Sequence, residues 1–139
     1  EPLHPVYAAD RSCLSLLSEA LDLCDAIERN STDPWLGACL DAYHLWWDPN
    51  LKRDIARAGA ARRIFGFHVC DWLVPTEDVL NDRGMMGDGV IDVPGIRRDV
   101  EAAGYRGLVE VEIFSAKTWW TTPMVETLRV CAERLATAT

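Results

Sequence analysis

Hydrophobic residues recur every three or four positions in four segments of the chain, which is the spacing of one helix face. The first segment predicts a helix over residues 12–28. Asp48-Pro49 precedes the second segment and Gly59 follows it, and Pro favours the start of a helix as Gly favours its end. The apolar positions of the four predicted helices are Leu14, Leu17, Leu21 and Cys24; Leu51, Ile55 and Ala58; Ile96, Val100 and Ala103; and Met124, Leu128, Cys131 and Leu135.

Short continuous apolar runs lie between these segments, and such runs predict strands that are buried on both faces. The runs are Trp35–Leu40, Ile64–Cys70 and Leu108–Phe114, and a polar loop rich in Gly and Asp (residues 81–92) follows the second run. The predicted order is therefore helix, strand, helix, strand, helix, strand, helix. Strands that alternate with helices are typical of βαβ units around a parallel sheet, so we expect an α/β fold.

Composition and charge narrow the class of function. The 14 Lys and Arg residues against 22 Asp and Glu give a formal net charge of −8, which disfavours a nucleic-acid surface and suits a cation or a neutral polar ligand. No apolar run approaches the roughly 20 residues that span a bilayer, so we expect no membrane partner. The five cysteines are odd in number and form no C-x-x-C pair, which predicts buried thiols in a cytoplasmic protein and disfavours a zinc cluster.

Each predicted strand carries one side chain that can bind a metal ion at or near its carboxyl end. Asp41 follows the first strand, and His68 and Glu112 lie near the ends of the second and third. Glu1 precedes a loop into the first helix, so we expect it at the tip of a further strand. Each residue alone is more typical of a surface acid, a core histidine or a helix cap. Together they predict a site for Mn²⁺ or Mg²⁺, because the carboxyl ends of parallel strands converge on one face.

Two further features concern the same predicted face. Glu110 and Glu112 are two residues apart, so both should project from the same side of their strand, towards a barrel interior. Tryptophans follow all three strands, and they are either packing residues of the loops or a wall that stacks on a sugar and excludes water. These tryptophans are Trp46, Trp47, Trp72, Trp119 and Trp120.

Four segments of the sequence resemble the xylose isomerase-like TIM barrels, and in particular the sugar phosphate isomerase/epimerase group. They are Asp41–His44, Gly66–Asp71, Gly87–Asp92 and Val109–Phe114, and Glu1–Pro5 resembles the tip of the fifth barrel strand. The resemblance implies a (β/α)8 TIM barrel of which residues 1–139 form the C-terminal half, about four β/α units. A whole barrel takes about 250 residues, so the N-terminal half is expected in the same chain, another fragment or a second copy, and a homo-oligomer stays open.

The resemblance also implies roles for individual residues. Glu1, Asp41, His68 and Glu112 are the implied ligands of one divalent ion, Mn²⁺ or Mg²⁺ with Co²⁺ or Zn²⁺ as alternatives. Glu1 and Glu112 are also the implied catalytic pair, which moves the proton of the substrate carbon. The family's substrate-contacting arginine corresponds to the first Arg after His68, which comes later in this chain than in the family. The expected substrate-binding residues are His44, Arg83, Asp71, Trp46 and Trp72.

The implied function is a metal-dependent isomerase or epimerase of a sugar, keto-sugar or sugar phosphate, acting through an enediolate. A carboxylate on one face removes the proton and a group on the other face returns it. Three alternatives stay open: an inosose dehydratase-like lyase, which shares the enolisation step, an endonuclease IV-like DNA-repair enzyme, and a non-catalytic derivative of the barrel. The DNA-repair alternative needs more metal ligands and basic loops than three His and a net charge of −8 provide.

Overall fold

A three-stranded parallel sheet lies at the centre of the computed structural model, which describes residues 1–29 and 33–139. In chain order, a 3-10 helix at Pro5–Tyr7 precedes α1 (Leu17–Ile27), β1 (Ala38–Asp41), α2 (Ala42–Leu45), α3 (Leu51–Ala60), β2 (Ile64–Val69), β3 (Asp71–Trp72), β4 (Arg83–Gly84), α4 (Val93–Ala102), β5 (Val109–Val111) and α5 (Met124–Thr137). The predicted alternation of helices and strands is confirmed, and with it the α/β class.

The strands β1, β2 and β5 are hydrogen-bonded in that order, and both pairings are parallel. The register sets Asp41 beside His68, and His68 beside Glu110. Because side chains alternate between the two faces of a strand, these residues and Glu112 share one face of the sheet. The polar residues near the strand ends therefore lie on one side.

The hydrophobic core lies between the other face of the sheet and the helices. Leu40, Phe67 and Val69 project from the strands into this layer, and all three are almost fully buried. Helix α3 contacts both α1 and α4. The predicted apolar faces of the first two helices are confirmed as part of the core. Full burial of one aliphatic side chain stabilises the folded state by about 1.5–3 kcal/mol. The helices contribute Leu17, Leu21, Leu51, Ile55, Ala58, Val93 and Val100.

The third predicted strand, Leu108–Phe114, is shortened to β5 at Val109–Val111. Two further elements begin later than predicted, and a glutamate accounts for each of these differences. Helix α1 begins at Leu17 because the Glu19 carboxylate accepts the backbone N–H groups of the two residues before it. Strand β1 begins at Ala38, after the predicted start at Trp35, whose side chain is 83% exposed. The backbone N–H of Trp35 and that of the next residue both donate to Glu28, so they are not available to the sheet.

Three short elements follow strand ends and were not predicted. Helix α2 is a single turn after β1, and the Asp41 carboxylate caps it by accepting the N–H of Tyr43 at 2.8 Å. Strands β3 and β4 form an antiparallel pair that sets Asp71 beside Gly84. This pair brings the start of the polar loop back against the end of β2, and it carries Arg83.

The last helix buries less of its apolar face than the prediction implies. Cys131 and Leu135 pack against the core, whereas Met124 and Leu128 are 74% and 61% exposed. The expectation that the whole apolar face of this helix lies in the core is therefore wrong for its first turns. A complete barrel would give such a surface a partner, and the half-barrel assignment stays a prediction.

Two sequence-based expectations about the environment of the chain can be compared with the structure. Among the described residues, no helix has both the length and the apolar character that crossing a bilayer requires. Cys24 and Cys70 are buried as predicted, Cys39 and Cys131 are half-buried, and Cys13 is exposed, so the expectation of burial is wrong for Cys13.

We expect Gly59→Ala to destabilise the fold, although alanine is the better helix former. A Cβ at Gly59 would overlap the carbonyl oxygen of Ala103 and lie 2.6 Å from its Cβ, where α3 approaches the end of α4. Overpacking of this kind destabilises by about 1–3 kcal/mol, and urea unfolding measures it. The control is Ala56→Gly, on the exposed side of the same helix, which should lose about 1 kcal/mol. An increase in the free energy of unfolding of Gly59→Ala would contradict the close approach of α3 to Ala103.

Candidate metal centre

The four predicted metal ligands come together on the polar face of the sheet. The Nδ1 atom of His68 lies 3.8 Å from Glu1 Oε2 and 3.8 Å from Glu112 Oε1. Asp41, His68 and Glu112 each offer one donor atom within 4.8 Å of the other two. Glu1 joins Asp41 and His44 in a second group of the same size. The predicted site is thus one cluster of three carboxylates and two imidazoles, called the strand-end cluster below.

The environment of the His68 Nδ1 atom indicates whether a metal ion fits this cluster. It is buried and has no hydrogen-bond partner among the residues that the structure describes. The distances of 3.8 Å to Glu1 and Glu112 are too long for hydrogen bonds, and buried polar atoms in proteins are rarely left unpaired. An imidazole nitrogen and carboxylate oxygens that face one point are the donor set of a divalent ion. The residues present therefore fit such an ion.

The Arg83 guanidinium is the positive charge within the cluster. Its Nη1 atom donates to Asp41 Oδ2 at 3.1 Å and to Glu112 Oε2 at 3.0 Å, and the side chain is almost fully buried. The guanidinium lies over the rings of Tyr43 and Phe114, at 4.3 and 4.8 Å from their centroids. Arg83, predicted to bind substrate, thus contacts two of the predicted metal ligands, and its contact with substrate stays a prediction.

Asp41 is the carboxylate that is most enclosed. Its side chain is 0% exposed, against 27% for Glu1 and 34% for Glu112. Burial raises the pKa of Asp41 above its ordinary value, although Arg83 acts in the opposite direction. The cluster therefore contains one acid that is closed off from solvent and two that remain accessible.

His44 lies at the edge of the cluster in its neutral form. Its Nε2 atom is 3.7 Å from Glu1 Oε1 and 3.7 Å from Asp41 Oδ2. Burial, followed by the charge of Arg83, lowers the pKa of His44 to about 3. The backbone N–H of His4 donates to Nδ1 at 3.2 Å, and Arg83 Nη2, which can only donate, lies 3.3 Å from Nε2.

Three of the five predicted tryptophans, Trp46, Trp47 and Trp72, form a packed group beside the cluster, whereas Trp120 contacts Phe114 and is exposed. Trp72 stacks on Tyr43 at 4.7 Å and lies 5.8 Å from Trp46, between ring centroids. The ring of His4 is 4.9 Å from that of Trp72 and 5.8 Å from that of Trp47. Packing among loop residues therefore accounts for these contacts, and substrate binding by Trp46 and Trp72 stays a prediction.

Asp71, also predicted to bind substrate, is buried among backbone amides. Its Oδ1 atom accepts the N–H groups of Trp72 and Ile91, and its Oδ2 atom accepts that of Gly87. The carboxylate thereby ties both ends of the loop that follows β2. The structure does not bring Asp71 into the strand-end cluster.

Cys39 is a neighbour of the cluster that the sequence analysis did not single out. Its Sγ atom lies 3.4 Å from His68 Nε2, on the side of the ring away from Nδ1. Its position two residues before Asp41 on the same strand is the sequence signal, because alternation places both on the polar face. Because cysteines are generally buried, Cys39 was interpreted as a core residue.

Comparison with known proteins finds a family match and a similar curated protein. Residues 2–134 match the xylose isomerase-like TIM barrel family. The chain is 34% identical over 94 residues to a 3-dehydroshikimate dehydratase of Pseudomonas putida strain KT2440, which is 63% of this chain and 14% of that protein.

Two solved structures have the same fold. Protein SMc04130 from Sinorhizobium meliloti 1021 superposes with a TM-score of 0.92 and 55% identity, over 99% of this chain and 48% of that one. The IolI protein with a bound zinc atom superposes with a TM-score of 0.71 and 19% identity, over 91% and 44%. The chain thus spans about half of these two proteins or less. By its sequence match over residues 2–134, the chain belongs to the xylose isomerase-like TIM barrel family.

Proposed function

We propose that the chain carries the divalent-metal site of an isomerase or epimerase that acts on a sugar, a keto-sugar or a sugar phosphate. The observation that carries this proposal is the unpaired Nδ1 atom of His68, which faces Glu1 and Glu112 at 3.8 Å. Membership of the xylose isomerase-like family supports it, and so does the zinc atom bound by the IolI protein, which has the same fold.

Four side chains would hold the ion, namely Glu1, Asp41, His68 and Glu112. A bound divalent cation supplies a Lewis acid that polarises a carbonyl oxygen and stabilises negative charge beside it. Mn²⁺ and Mg²⁺ suit a set dominated by carboxylates. Arg83 offsets part of the negative charge of this set through its ion pairs with Asp41 and Glu112.

The exposure of the three carboxylates suggests a division of roles. Glu1 and Glu112 are accessible, so they can reach a substrate carbon, whereas Asp41 is enclosed and can act only as a ligand. One glutamate removes the proton next to the carbonyl of an α-hydroxy ketone, which leaves the enediolate. The other returns a proton to the opposite face for epimerisation, or the first returns it to the neighbouring carbon for isomerisation.

Neutral His44 orients the substrate in this proposal. Its ring lies beside Glu1 and Asp41, where it can contact a hydroxyl or carbonyl oxygen of a bound sugar. With its pKa lowered to about 3, the ring remains uncharged at neutral pH. It therefore binds an oxygen without adding a positive charge next to the metal ligands.

Dehydration of a hydroxy ketone is the second candidate function, and the similarity to a 3-dehydroshikimate dehydratase favours it. Both reactions begin with removal of a proton next to a carbonyl, so they use the same glutamates. Mass spectrometry of the product separates them, because dehydration lowers the mass by one water and isomerisation leaves it unchanged.

We expect Glu112→Gln to lower the rate of substrate proton exchange with solvent by about 100-fold or more, because general acid–base catalysis contributes about 10²–10⁴-fold. Proton NMR in D₂O measures this exchange across a panel of keto-sugars and hydroxy ketones. The matched control is Glu110→Gln, an exposed acid two residues earlier on the same side of β5, which should retain the rate. If Glu112→Gln exchanged the substrate proton at the rate of the unmodified protein, Glu112 would not be one of the two acid–base residues.

His68→Ala should weaken Mn²⁺ binding by about 100-fold or more, since even neighbours of metal ligands contribute about 10–100-fold to affinity. Isothermal titration calorimetry on the apo protein measures the affinity directly, without a substrate. Glu110→Gln again serves as the control and should bind Mn²⁺ as the unmodified protein does. Equal Mn²⁺ affinity in His68→Ala would place the ion elsewhere.

A further inference from the structure

The polar face of the sheet offers a second combination of metal donors, which includes a sulfur atom. Glu1, Cys39 and His68 each have one donor atom within 4.8 Å of the other two. We call these three residues the sulfur-containing set. It shares Glu1 and His68 with the strand-end cluster, and only Cys39 is new.

The geometry of this set matches zinc coordination. Zinc binds cysteine sulfur at about 2.3 Å and histidine nitrogen at about 2.0–2.1 Å with tetrahedral angles, so two such ligands are about 3.5 Å apart. The distance between Cys39 Sγ and His68 Nε2 is 3.4 Å. Little movement of either side chain is therefore needed for both to bind one ion.

The chemistry of the donors distinguishes between ions. Thiolate is a soft ligand that selects Zn²⁺ and related ions, whereas Mn²⁺ and Mg²⁺ prefer carboxylate oxygen. On binding, a zinc ion would displace the proton of the Cys39 thiol to solvent and form the Zn–S bond. Mn²⁺ and Mg²⁺ gain little from doing so.

We propose that Glu1, Cys39 and His68 form an alternative site for Zn²⁺, with water completing the coordination. Glu1 belongs to both sets, and a neutral His68 ring has only one nitrogen with a free lone pair, so Zn²⁺ at Cys39 and Mn²⁺ at the strand-end cluster exclude each other. The existence of the Zn²⁺ site does not depend on the proposed function. Inhibition by Zn²⁺ rests on that function, because the ion would withdraw Glu1 and His68 from Asp41 and Glu112.

The first test is spectroscopic and uses Co²⁺ as a probe for zinc. One equivalent of Co²⁺ should give the unmodified protein an intense near-ultraviolet band from thiolate-to-metal charge transfer, and Zn²⁺ should abolish it. The band should be absent in Cys39→Ser. It should persist in the control Cys131→Ser, which changes a half-buried cysteine that contacts Met85 and lies outside the set. Absence of the band in the unmodified protein, or its presence in Cys39→Ser, would overturn the proposal.

A second measurement needs no variant and so does not depend on the folding of Cys39→Ser. X-ray absorption of the protein with one equivalent of Zn²⁺ should show one sulfur neighbour at about 2.3 Å. A shell of oxygen and nitrogen alone would mean that Zn²⁺ occupies the strand-end cluster, and the sulfur-containing set would then be refuted.

Calorimetry separates this proposal from the proposed function. Cys39→Ser should lower Zn²⁺ affinity by about tenfold or more and leave Mn²⁺ affinity within about threefold. Glu112→Gln should do the reverse, since Glu112 belongs only to the strand-end cluster. Equal loss of both affinities in Cys39→Ser would overturn a distinct zinc site. Failure of Mn²⁺ to bind while the Co²⁺ band persists would reject only the metal centre of the proposed function.

Discussion

The ion pairs of Arg83 with Asp41 and Glu112 are the interaction on which the polar face of the sheet depends. Three carboxylates converge there, and Asp41 is fully enclosed. Removing such a charge from water is costly unless a partner of opposite sign is fixed nearby. Arg83 supplies that partner at about 3 Å from both acids, and Tyr43 and Phe114 hold the plane of its guanidinium. The acids can therefore lie close together in the folded chain.

In the proposed function, the accessible and the enclosed acids of this face have different roles. A carboxylate that must move a proton has to meet the substrate, and Glu1 and Glu112 retain that access. A carboxylate that only binds an ion gains from enclosure, because water cannot compete for it. The polar face of the sheet thus provides both kinds of acid, which differ in how far each side chain is exposed to solvent.

Much of the polar face could be predicted from the sequence, because it follows from one rule of parallel sheets. Asp41, His68 and Glu112 each stand near the end of an apolar run, and the carboxyl ends of such strands meet. Side-chain alternation likewise predicted that Glu110 and Glu112 share a face. These inferences need only local pattern and topology.

The remaining features depend on individual side-chain and backbone contacts, which the pattern of hydrophobic and polar residues does not contain. Trp35 looked like the start of a buried strand, yet Glu28 accepts its N–H and holds it outside the sheet. Arg83 lies in a polar loop that reads as irregular, and only the pairing of β3 with β4 brings it to Asp41. Asp71 resembles a site residue in sequence, although its carboxylate is used by backbone amides.

The anchoring of the loop by Asp71 has a consequence for how this fold can diverge. Its two oxygens bind amides at both ends of the loop, at Trp72, Gly87 and Ile91, and the backbone of Arg83 is also bonded to Phe114. Residues 73–82 make none of these anchoring bonds, so a substitution there can leave the bonds in place. Natural variation or protein engineering can therefore change the surface of the loop while the guanidinium beneath it keeps its position.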